Sequence, residues 1–242
     1  GKLSSGIAHD FNNLLSSIFG SIHLLRNRIP ESENVLRLID NIENCSVRAR
    51  DLTKGLLSFG KPTAKRKEIV MPNFILSEIA KVVSQTVPSN ISLEEKIDEK
   101  LHNILGNGTE IYQILLNLCV NAKESIERKG KIILGASNIK VDDSNIISYP
   151  LLDRGKYVNF FVSDTGSGID EENISKIFDP YFSTKQKDTG SGLGLYVTYG
   201  IIKAHNGHVD VTSQKGIGTR FDVYLPVFEP QESVKPKESG KI

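Results

Sequence analysis

The stretch "NGTEIYQILLNLCVNAKESI", residues 107–126, combines an apolar helical stripe with polar residues that a helix interior rarely keeps. Its apolar residues recur every three or four positions, which predicts a helix over residues 109–128 with one buried face. The stripe consists of Ile111, Ile114, Leu115, Leu118 and Ile126. Asn117 and Asn121 lie four residues apart on one face of this helix. Because asparagine is a poor helix former, the pair needs a structural or chemical reason.

Two interpretations of these asparagines are open. Their amides could hydrogen-bond neighbouring loops, which is a purely structural role. Alternatively, their carboxamide oxygens could hold Mg²⁺, a hard cation that prefers oxygen ligands and shares its shell with waters and phosphates.

Two glycine-rich turns favour a phosphate-bearing ligand. "DTGSGI" (164–169) leaves a predicted strand, and "GSGLGL" (190–195) opens a predicted helix. Glycine lets backbone amides approach a phosphate, and a helix N-terminus presents unpaired N–H groups. Neither turn has the spacing of a Walker or Rossmann loop, and GxG turns are common. Together they predict a nucleotide held between two glycine turns.

Helix and strand patterns alternate around this helix. Helices are predicted over 74–83, 171–177 and 193–205, strands over 91–98, 131–137 and 157–164, a hairpin over 207–213 and 219–226, and a loop over 142–155. Such interleaving is typical of a mixed α/β domain, which we assign to residues 68–228. Residues 229–242 lack aromatic side chains and are rich in Pro, Lys and Glu, so we expect a disordered tail.

The first sixty residues have a purely helical pattern. Apolar residues step by threes and fours from Leu3 to about Arg28 and again from Val35 to Phe59, with Pro30 between them. So short a link predicts an antiparallel hairpin, whose uncovered apolar edges favour a four-helix bundle across a dimer axis. Packing of the hairpin on its own chain is the alternative. With residues 61–67 as a linker, the predicted fold class is α+β, a helical hairpin followed by an α/β sandwich.

The composition excludes several function classes. Thirty basic and twenty-nine acidic residues give a net charge of +1, so a basic nucleic-acid-binding face is not expected. Cys45 and Cys119 have no neighbouring ligand, which gives little support to a disulfide or a metal site. No run approaches the roughly twenty apolar residues of a membrane span, and no signal peptide opens the chain. We therefore expect a cytoplasmic protein without direct membrane contact, although a chain that begins inside a helical pattern could belong to a longer, membrane-anchored sensor.

Six short motifs, in order along the chain, resemble those of the sensor histidine kinases and, through them, the wider ATPase superfamily that includes gyrase B and MutL. They are "SSGIAHDFNNLLSSI" (4–18), "NLCVNA" (117–122), "DTGSGI" (164–169), "IFDPYFSTK" (177–185), "GSGLGL" (190–195) and "GIGTRFDVYLP" (216–226). The resemblance implies a homodimeric, ATP-dependent protein-histidine kinase of two-component signalling. It also implies ATP and Mg²⁺ as cofactors, and the receiver domain of a response regulator as partner.

The resemblance also assigns roles around the nucleotide. It implies that Asp164 accepts a hydrogen bond from the adenine amino group, which favours ATP over GTP. It implies that Asn117 and Asn121 coordinate Mg²⁺ and that Lys185 reaches a terminal phosphate as a point charge. The other implied contacts with the cofactor are Gly166, Gly168, Phe178, Phe182, Gly190, Gly192, Leu193, Gly194 and Thr219.

Residues 179–190 look like the mobile lid of this family. In that interpretation Phe178 and Phe182 anchor the lid. The alternative is that both are ordinary core aromatics.

One departure from the hydrolysing relatives points to the reaction. Those relatives carry a glutamate general base on this helix, whereas the corresponding residue here is Asn117, whose amide cannot accept a proton. Bound ATP therefore needs a nucleophile other than water. His9 points about 160° away from the centre of its helix's apolar stripe. An imidazole with the ordinary pKa near 6.5 is largely neutral at cell pH, so a ring nitrogen can attack phosphorus.

Two neighbours of His9 complete the prediction. Asp10 could accept a hydrogen bond from the other ring nitrogen and stabilise the charge that forms there. Asn13, one turn along, matches the family residue that positions water for dephosphorylating the regulator, with Asn12 as the alternative. Two other functions compete with the kinase: an ATP hydrolase that drives clamp motion, and a non-catalytic dimeric adaptor with a degenerate pocket.

Overall fold

The computed structural model describes residues 67–183 and 192–229, together with isolated positions among the first 66. Those positions are Ile18, Ser21, Ile22, Val35, Ile39, Ile42 and Ser46, and each is helical. The rest of the predicted hairpin and linker lies outside the described residues, as does the predicted tail from position 230 onward. The same holds for five of the predicted site residues: His9, Asp10, Asn13, Lys185 and Gly190.

The described part of the chain contains a five-stranded sheet, a two-stranded sheet and α-helices between the strands. In chain order the elements are β1 (Glu68–Val70), α1 (Pro72–Thr86), β2 (Ile91–Ile97), β3 (Ile104–Gly106), α2 (Gly108–Ser125), β4 (Gly130–Val141), β5 (Gly155–Asp164), α3 (Glu171–Ile174), α4 (Gly194–Ala204), β6 (His208–Gln214) and β7 (Gly218–Pro226). A short 3₁₀ helix, Ile146–Ser148, lies in the predicted loop between β4 and β5.

The large sheet has the strand order β2-β4-β5-β7-β6, with β2 parallel to β4 and the other pairs antiparallel. Because side chains alternate along a strand, Val158, Phe160 and Val162 of the central β5 all point to one face, where they are buried. The apolar stripes of α1 and α2 join them in one core. The result is a two-layer α/β sandwich, which confirms the predicted α+β class.

Local sequence explains where the two long helices begin. Pro72 occupies the first turn of α1, where a missing N–H costs nothing. Val70 and Ile75 flank that start and are both buried in the same core, the pattern of a hydrophobic staple. The side chain of Asn107 caps α2 by accepting a hydrogen bond from the Glu110 N–H at 3.1 Å.

The helix α2 ends at Ser125, three residues before the predicted boundary. Ile126 has an extended backbone and is only 8% exposed. The chain turns there because Gly130 must already pair with Ile91 to start β4. The predicted helix over 171–177 is likewise shorter, with only Glu171–Ile174 helical.

Two features were not predicted. The strands β1 and β3 form a small antiparallel sheet in which Ile69 pairs with Leu105, and three-residue strands are too short to show a period. His205 is a buried structural residue that ties α4 to the start of α2. Its Nδ1 lies 2.9 Å from the carbonyl oxygen of Ile201, and its Nε2 accepts a hydrogen bond from the Asn107 N–H at 3.0 Å.

Candidate nucleotide site

Two polar residues of the helix α2 define the candidate site: Asn117, a predicted metal ligand near the middle of the helix, and Ser125, its last residue. Asn117 and Ser125 are eight residues apart, which corresponds to about 12 Å along the axis. Ser125 adjoins the end of β5, and Asn117 adjoins the start of α4. We call these the base end and the phosphate end of the site.

The base end is built around Asp164, the last residue of β5, which is only 8% exposed. Its Oδ1 accepts a hydrogen bond from the Gly166 N–H at 2.7 Å and lies 2.9 Å from the Ser125 hydroxyl. A carboxylate with so little contact to solvent requires such donors. The structure therefore holds the predicted base-binding carboxylate in a fixed orientation.

Three glycines near this carboxylate pack too closely against other residues to carry a side chain. A Cβ on Gly166 would lie 2.0 Å from the Ser125 Oγ, and one on Gly168, which has φ +66°, would lie 2.1 Å from the Gln214 carbonyl oxygen. Gly218 has φ +145°, and its Cβ would lie 2.0 Å from the carbonyl oxygen of Asp164. Gly166 and Gly168 were predicted, whereas Gly218 was not, although the "GIG" of the last motif was a signal.

Thr219 lies beside Asp164, since the two residues are directly paired across β5 and β7. Its side chain is buried, and its Oγ1 lies 2.8 Å from the Ser213 hydroxyl. Ser213 in turn accepts a hydrogen bond from the Ile169 N–H at 2.8 Å. The predicted contacts Asp164, Gly166, Gly168 and Thr219 are thus brought together at one end of the sheet.

The phosphate end joins Asn117 to the first turn of α4. Its Nδ2 donates to the carbonyl oxygen of Gly194 at 3.4 Å and to the Thr198 Oγ1 at 3.3 Å. Asn117 therefore has structural hydrogen bonds, but to a helix and not to the loops that one interpretation predicted, and its Oδ1 takes part in neither bond. Asn121, half-buried, makes no side-chain hydrogen bond to any residue that the structure describes.

The start of α4 has space for a ligand. A Cβ added to Gly194 would meet no atom of the described residues within 4 Å. At the start of a helix, the backbone N–H groups and the positive end of the helix dipole attract anions. The Oδ1 of Asn117 and these N–H groups can therefore act on the same phosphate chain.

The donors at the phosphate end fit a magnesium ion. Within residues 67–183 and 192–229, no cluster of three or more His, Cys, Asp or Glu side chains could hold a metal. The candidate metal ligands at this end are therefore the carboxamide oxygens of Asn117 and Asn121. Such a small set is compatible with Mg²⁺, which is commonly bound by few protein oxygens together with substrate phosphates and water.

Tyr181, near the start of the predicted lid, contacts Gly192, which lies two residues beyond its predicted end. The Tyr181 N–H donates to the carbonyl oxygen of Gly192 at 3.0 Å, and both residues have left-handed backbones, with φ +65° and +66°. Phe178 stacks on Tyr199 with ring centroids 5.2 Å apart, and Phe178 and Phe182 both pack against the main core. This packing fits both interpretations of the pair, as core aromatics and as anchors. Leu193, only 8% exposed, precedes the first turn of α4.

Cys119 lies on α2 between the two asparagines and is a free, buried thiol. Burial raises the pKa of this thiol to about 12, which keeps it protonated and unreactive.

Comparison with known proteins agrees with the six motifs. The sequence model described as "Histidine kinase-, DNA gyrase B-, and HSP90-like ATPase" matches residues 106–229, and that of the "His Kinase A (phospho-acceptor) domain" matches residues 1–65. The chain belongs to the histidine kinases. This histidine-kinase chain is 35% identical to the sensor kinase CckA of Brucella abortus over 93% of its length, and 32% identical to the sensor histidine kinase ZraS of Escherichia coli K12 over 94%. It spans only 24% and 45% of the lengths of those two relatives.

Two solved structures share the fold of this chain. Full-length ShkA in complex with AMPPNP superposes with a TM-score of 0.73 over 93% of this chain and 46% of that chain, at 24% identity. The nucleotide-free catalytic domain of ThkA superposes with a TM-score of 0.54 over 67% of this chain and 96% of that domain, at 26% identity. Among the residues that the structure describes, no helix is long and apolar enough to cross a membrane.

Proposed function

We propose that this chain is the catalytic core of a dimeric, ATP-dependent protein-histidine kinase. ATP phosphorylates His9, and the phosphoryl group then passes to an aspartate in the receiver domain of a separate response regulator. The observation that carries the proposal concerns the helix α2, which bears Asn117 against the glycine turn before α4 and holds Asp164, at the end of β5, through Ser125. Because the reaction consumes ATP, we also propose a cytoplasmic location.

At the base end, the carboxylate of Asp164 accepts a hydrogen bond from the exocyclic amino group of adenine. Guanine presents a carbonyl at that position and would be repelled, so ATP is preferred over GTP. The support is the fixed orientation of the carboxylate, which accepts hydrogen bonds from the Gly166 N–H and the Ser125 hydroxyl.

At the phosphate end, the carboxamide oxygens of Asn117 and Asn121 hold Mg²⁺. When bound, the ion neutralises charge on the phosphates, which is most of what phosphoryl transfer requires besides alignment. The N–H groups at the start of α4 and the ammonium of Lys185 bind the phosphate chain.

The nature of Asn117 decides between transfer and hydrolysis. A glutamate at this position would take a proton from water, whereas a carboxamide has no basic oxygen. Its Nδ2 is also held by Gly194 and Thr198, which fixes the side chain against α4. Water is therefore poorly activated, and ATP persists until a better nucleophile reaches it.

That nucleophile is the neutral imidazole of His9. The lone pair of one ring nitrogen forms a bond to the γ-phosphorus, and the bond from that phosphorus to the β,γ-bridging oxygen breaks, with its electron pair leaving on ADP. The other ring nitrogen keeps its proton, which Asp10 accepts in a hydrogen bond, stabilising the phosphoimidazolium. In a second reaction, the dephosphorylation of the regulator, Asn13 positions the attacking water.

Apolar side chains of the first sixty residues support a homodimer. Ile18 and Ile42 are both helical and lie on the predicted apolar stripes, yet they are 40% and 47% exposed. Exposed apolar positions repeated on a stripe favour a covering partner. A second copy of the hairpin supplies that cover in a four-helix bundle.

The test is autophosphorylation of the full chain with γ-labelled ATP, with and without Mg²⁺, followed by mapping of the modified residue. We expect acid-labile label on His9, its loss in His9→Gln with ATP binding retained, and normal labelling in the control variant His102→Gln. Label retained by His9→Gln would overturn the proposal. Rapid ATP turnover without a phosphoprotein would establish a hydrolase, and failure to bind Mg-ATP would establish an adaptor.

A further inference from the structure

Ser125, the last residue of α2, places its hydroxyl between two acceptors. The Oγ lies 2.9 Å from the Asp164 Oδ1 and 2.8 Å from the carbonyl oxygen of Ala122. A hydroxyl has one proton and donates it to one acceptor at a time. The bond to the carboxylate is charge-assisted and is therefore the stronger of the two.

Electrostatics at the end of α2 favour the same donation. The C-terminal end of a helix carries a partial negative charge, which disfavours a carboxylate nearby. Asp164 is 8% exposed, so water does little to screen that repulsion. The Gly166 N–H and the Ser125 hydroxyl both act on the same oxygen, Oδ1, and offset the repulsion.

Ser125 also binds the loop that follows the carboxylate, but through its backbone. Its carbonyl oxygen accepts a hydrogen bond from the Ser167 N–H at 2.9 Å. This bond does not depend on the side chain. A substitution to alanine therefore removes only the hydroxyl and leaves the loop attached to the helix.

We propose that Ser125 is a positioning residue for base recognition. Its hydroxyl fixes the rotation of the Asp164 carboxylate, so that the carboxylate meets the adenine amino group without reorienting first. The inference rests on the proposed function, since it requires that Asp164 binds adenine. It adds a specificity determinant that lies on the helix of the metal-binding asparagines.

The experiment compares two nucleotides on the full chain: ATP, and purine riboside triphosphate, whose base lacks the 6-amino group. The affinity ratio between them isolates the contact with the amino group. We expect Ser125→Ala to weaken ATP binding about three- to tenfold, the range of one lost hydrogen bond, and to leave the analogue almost unchanged. Ser125→Cys keeps a side chain of similar size without a strong donor and should lower the ratio equally.

Ser84→Ala is the matched control. Ser84 makes the same kind of bond near the end of α1, from its Oγ to the Lys81 carbonyl oxygen at 2.9 Å, and it bonds no carboxylate among the residues that the structure describes. It should leave the ratio unchanged. If wild type itself does not distinguish the two nucleotides, the proposed role of Asp164 is wrong. If wild type distinguishes them and Ser125→Ala keeps the full ratio, or weakens both nucleotides equally, only the inference about Ser125 is overturned.

Discussion

The base end and the phosphate end of the site differ in how completely they are formed by the protein itself. At the base end, Asp164 is held by contacts of 2.7 and 2.9 Å, and glycines leave no space for an added atom beside it. At the phosphate end, the bonds of Asn117 are 3.3 and 3.4 Å long, and Gly194 faces open space.

This difference indicates that the two ends contribute differently to nucleotide binding. A preformed base end loses little freedom when adenine binds, so it supplies selectivity at low entropic cost. Under the proposed function, the phosphate end reaches its working geometry only when the metal and the phosphates bind. Substitutions at the base end should therefore affect folding or base selectivity, and those at the phosphate end should affect the dependence on Mg²⁺.

The largest expected effect tests the close packing of the base end. Gly218→Ala places a methyl group 2.0 Å from a backbone oxygen at φ +145°, so we expect a loss of unfolding free energy of about 3 kcal/mol or more. Gly216→Ala, in the same turn at φ +78° with nothing within 4 Å, should cost only about 1–2 kcal/mol. Urea denaturation measures both. Equal losses would show that the backbone angle, and not the packing against Asp164, sets the cost.

The second prediction concerns the phosphate end. Asn117→Ala removes the proposed oxygen ligand of Mg²⁺, so the gain in ATP affinity produced by Mg²⁺ should fall by about tenfold or more, while the affinity for metal-free ATP changes little. Titration calorimetry with Mg²⁺ and with a chelator gives both values. Gln113→Ala, an exposed residue on the same helix, is the control. An unchanged Mg²⁺ effect in Asn117→Ala would mean that its role is purely the structural bond to α4.

The sequence predicted α2 and the strand that ends at Asp164 well for a physical reason. The helix has five turns of regular apolar spacing, and Asp164 ends a strongly apolar strand, so both signals are local. The contact between Ser125 and Asp164 joins residues 39 positions apart in sequence. Nothing in the local pattern distinguishes this serine from Ser84, because only the sheet brings the carboxylate to it.

Other features could not be predicted because they depend on tertiary packing. The strands β1 and β3 are three residues long and become strands only by pairing with each other. The early end of α2 follows from the pairing of Gly130 with Ile91, which no helix propensity encodes. Gly218 belongs to the "GIG" of the last motif, but only the pairing of β7 with β5 places it against the backbone of Asp164.

A third prediction asks whether the base end depends on the stability of α2 as a whole. Asn107→Ala removes the N-cap bond to the Glu110 N–H, which should lower the unfolding free energy by about 1 kcal/mol. Because the cap lies at the opposite end of the helix from Ser125, the affinity ratio between ATP and purine riboside triphosphate should not change. Thermal unfolding and nucleotide titration test the two halves separately. A lower ratio would mean that the base end is held by the helix and not by its own contacts.

The smallest expected effect lies at the start of β6, a region that neither end of the site includes. Burial and the nearby ammonium of Lys203 lower the pKa of His208, against a smaller opposing effect of Asp210. The neutral imidazole agrees with the lowered pKa, because its Nδ1 lies 3.4 Å from the Lys203 Nζ and can accept a hydrogen bond from that ammonium group. Since the folded-state pKa is lowered, the stabilisation is complete above about pH 6.5 and is lost as the pH falls below that value. The loss should stay under about 1 kcal/mol, because the pair is partly solvent-screened.

Thermal unfolding of wild type and His208→Gln between pH 7.5 and 5.5 isolates this contribution as the difference between the two curves. Parallel curves would remove the assigned coupling to Lys203, and a change in base selectivity with pH in wild type alone would show that the two regions are not independent.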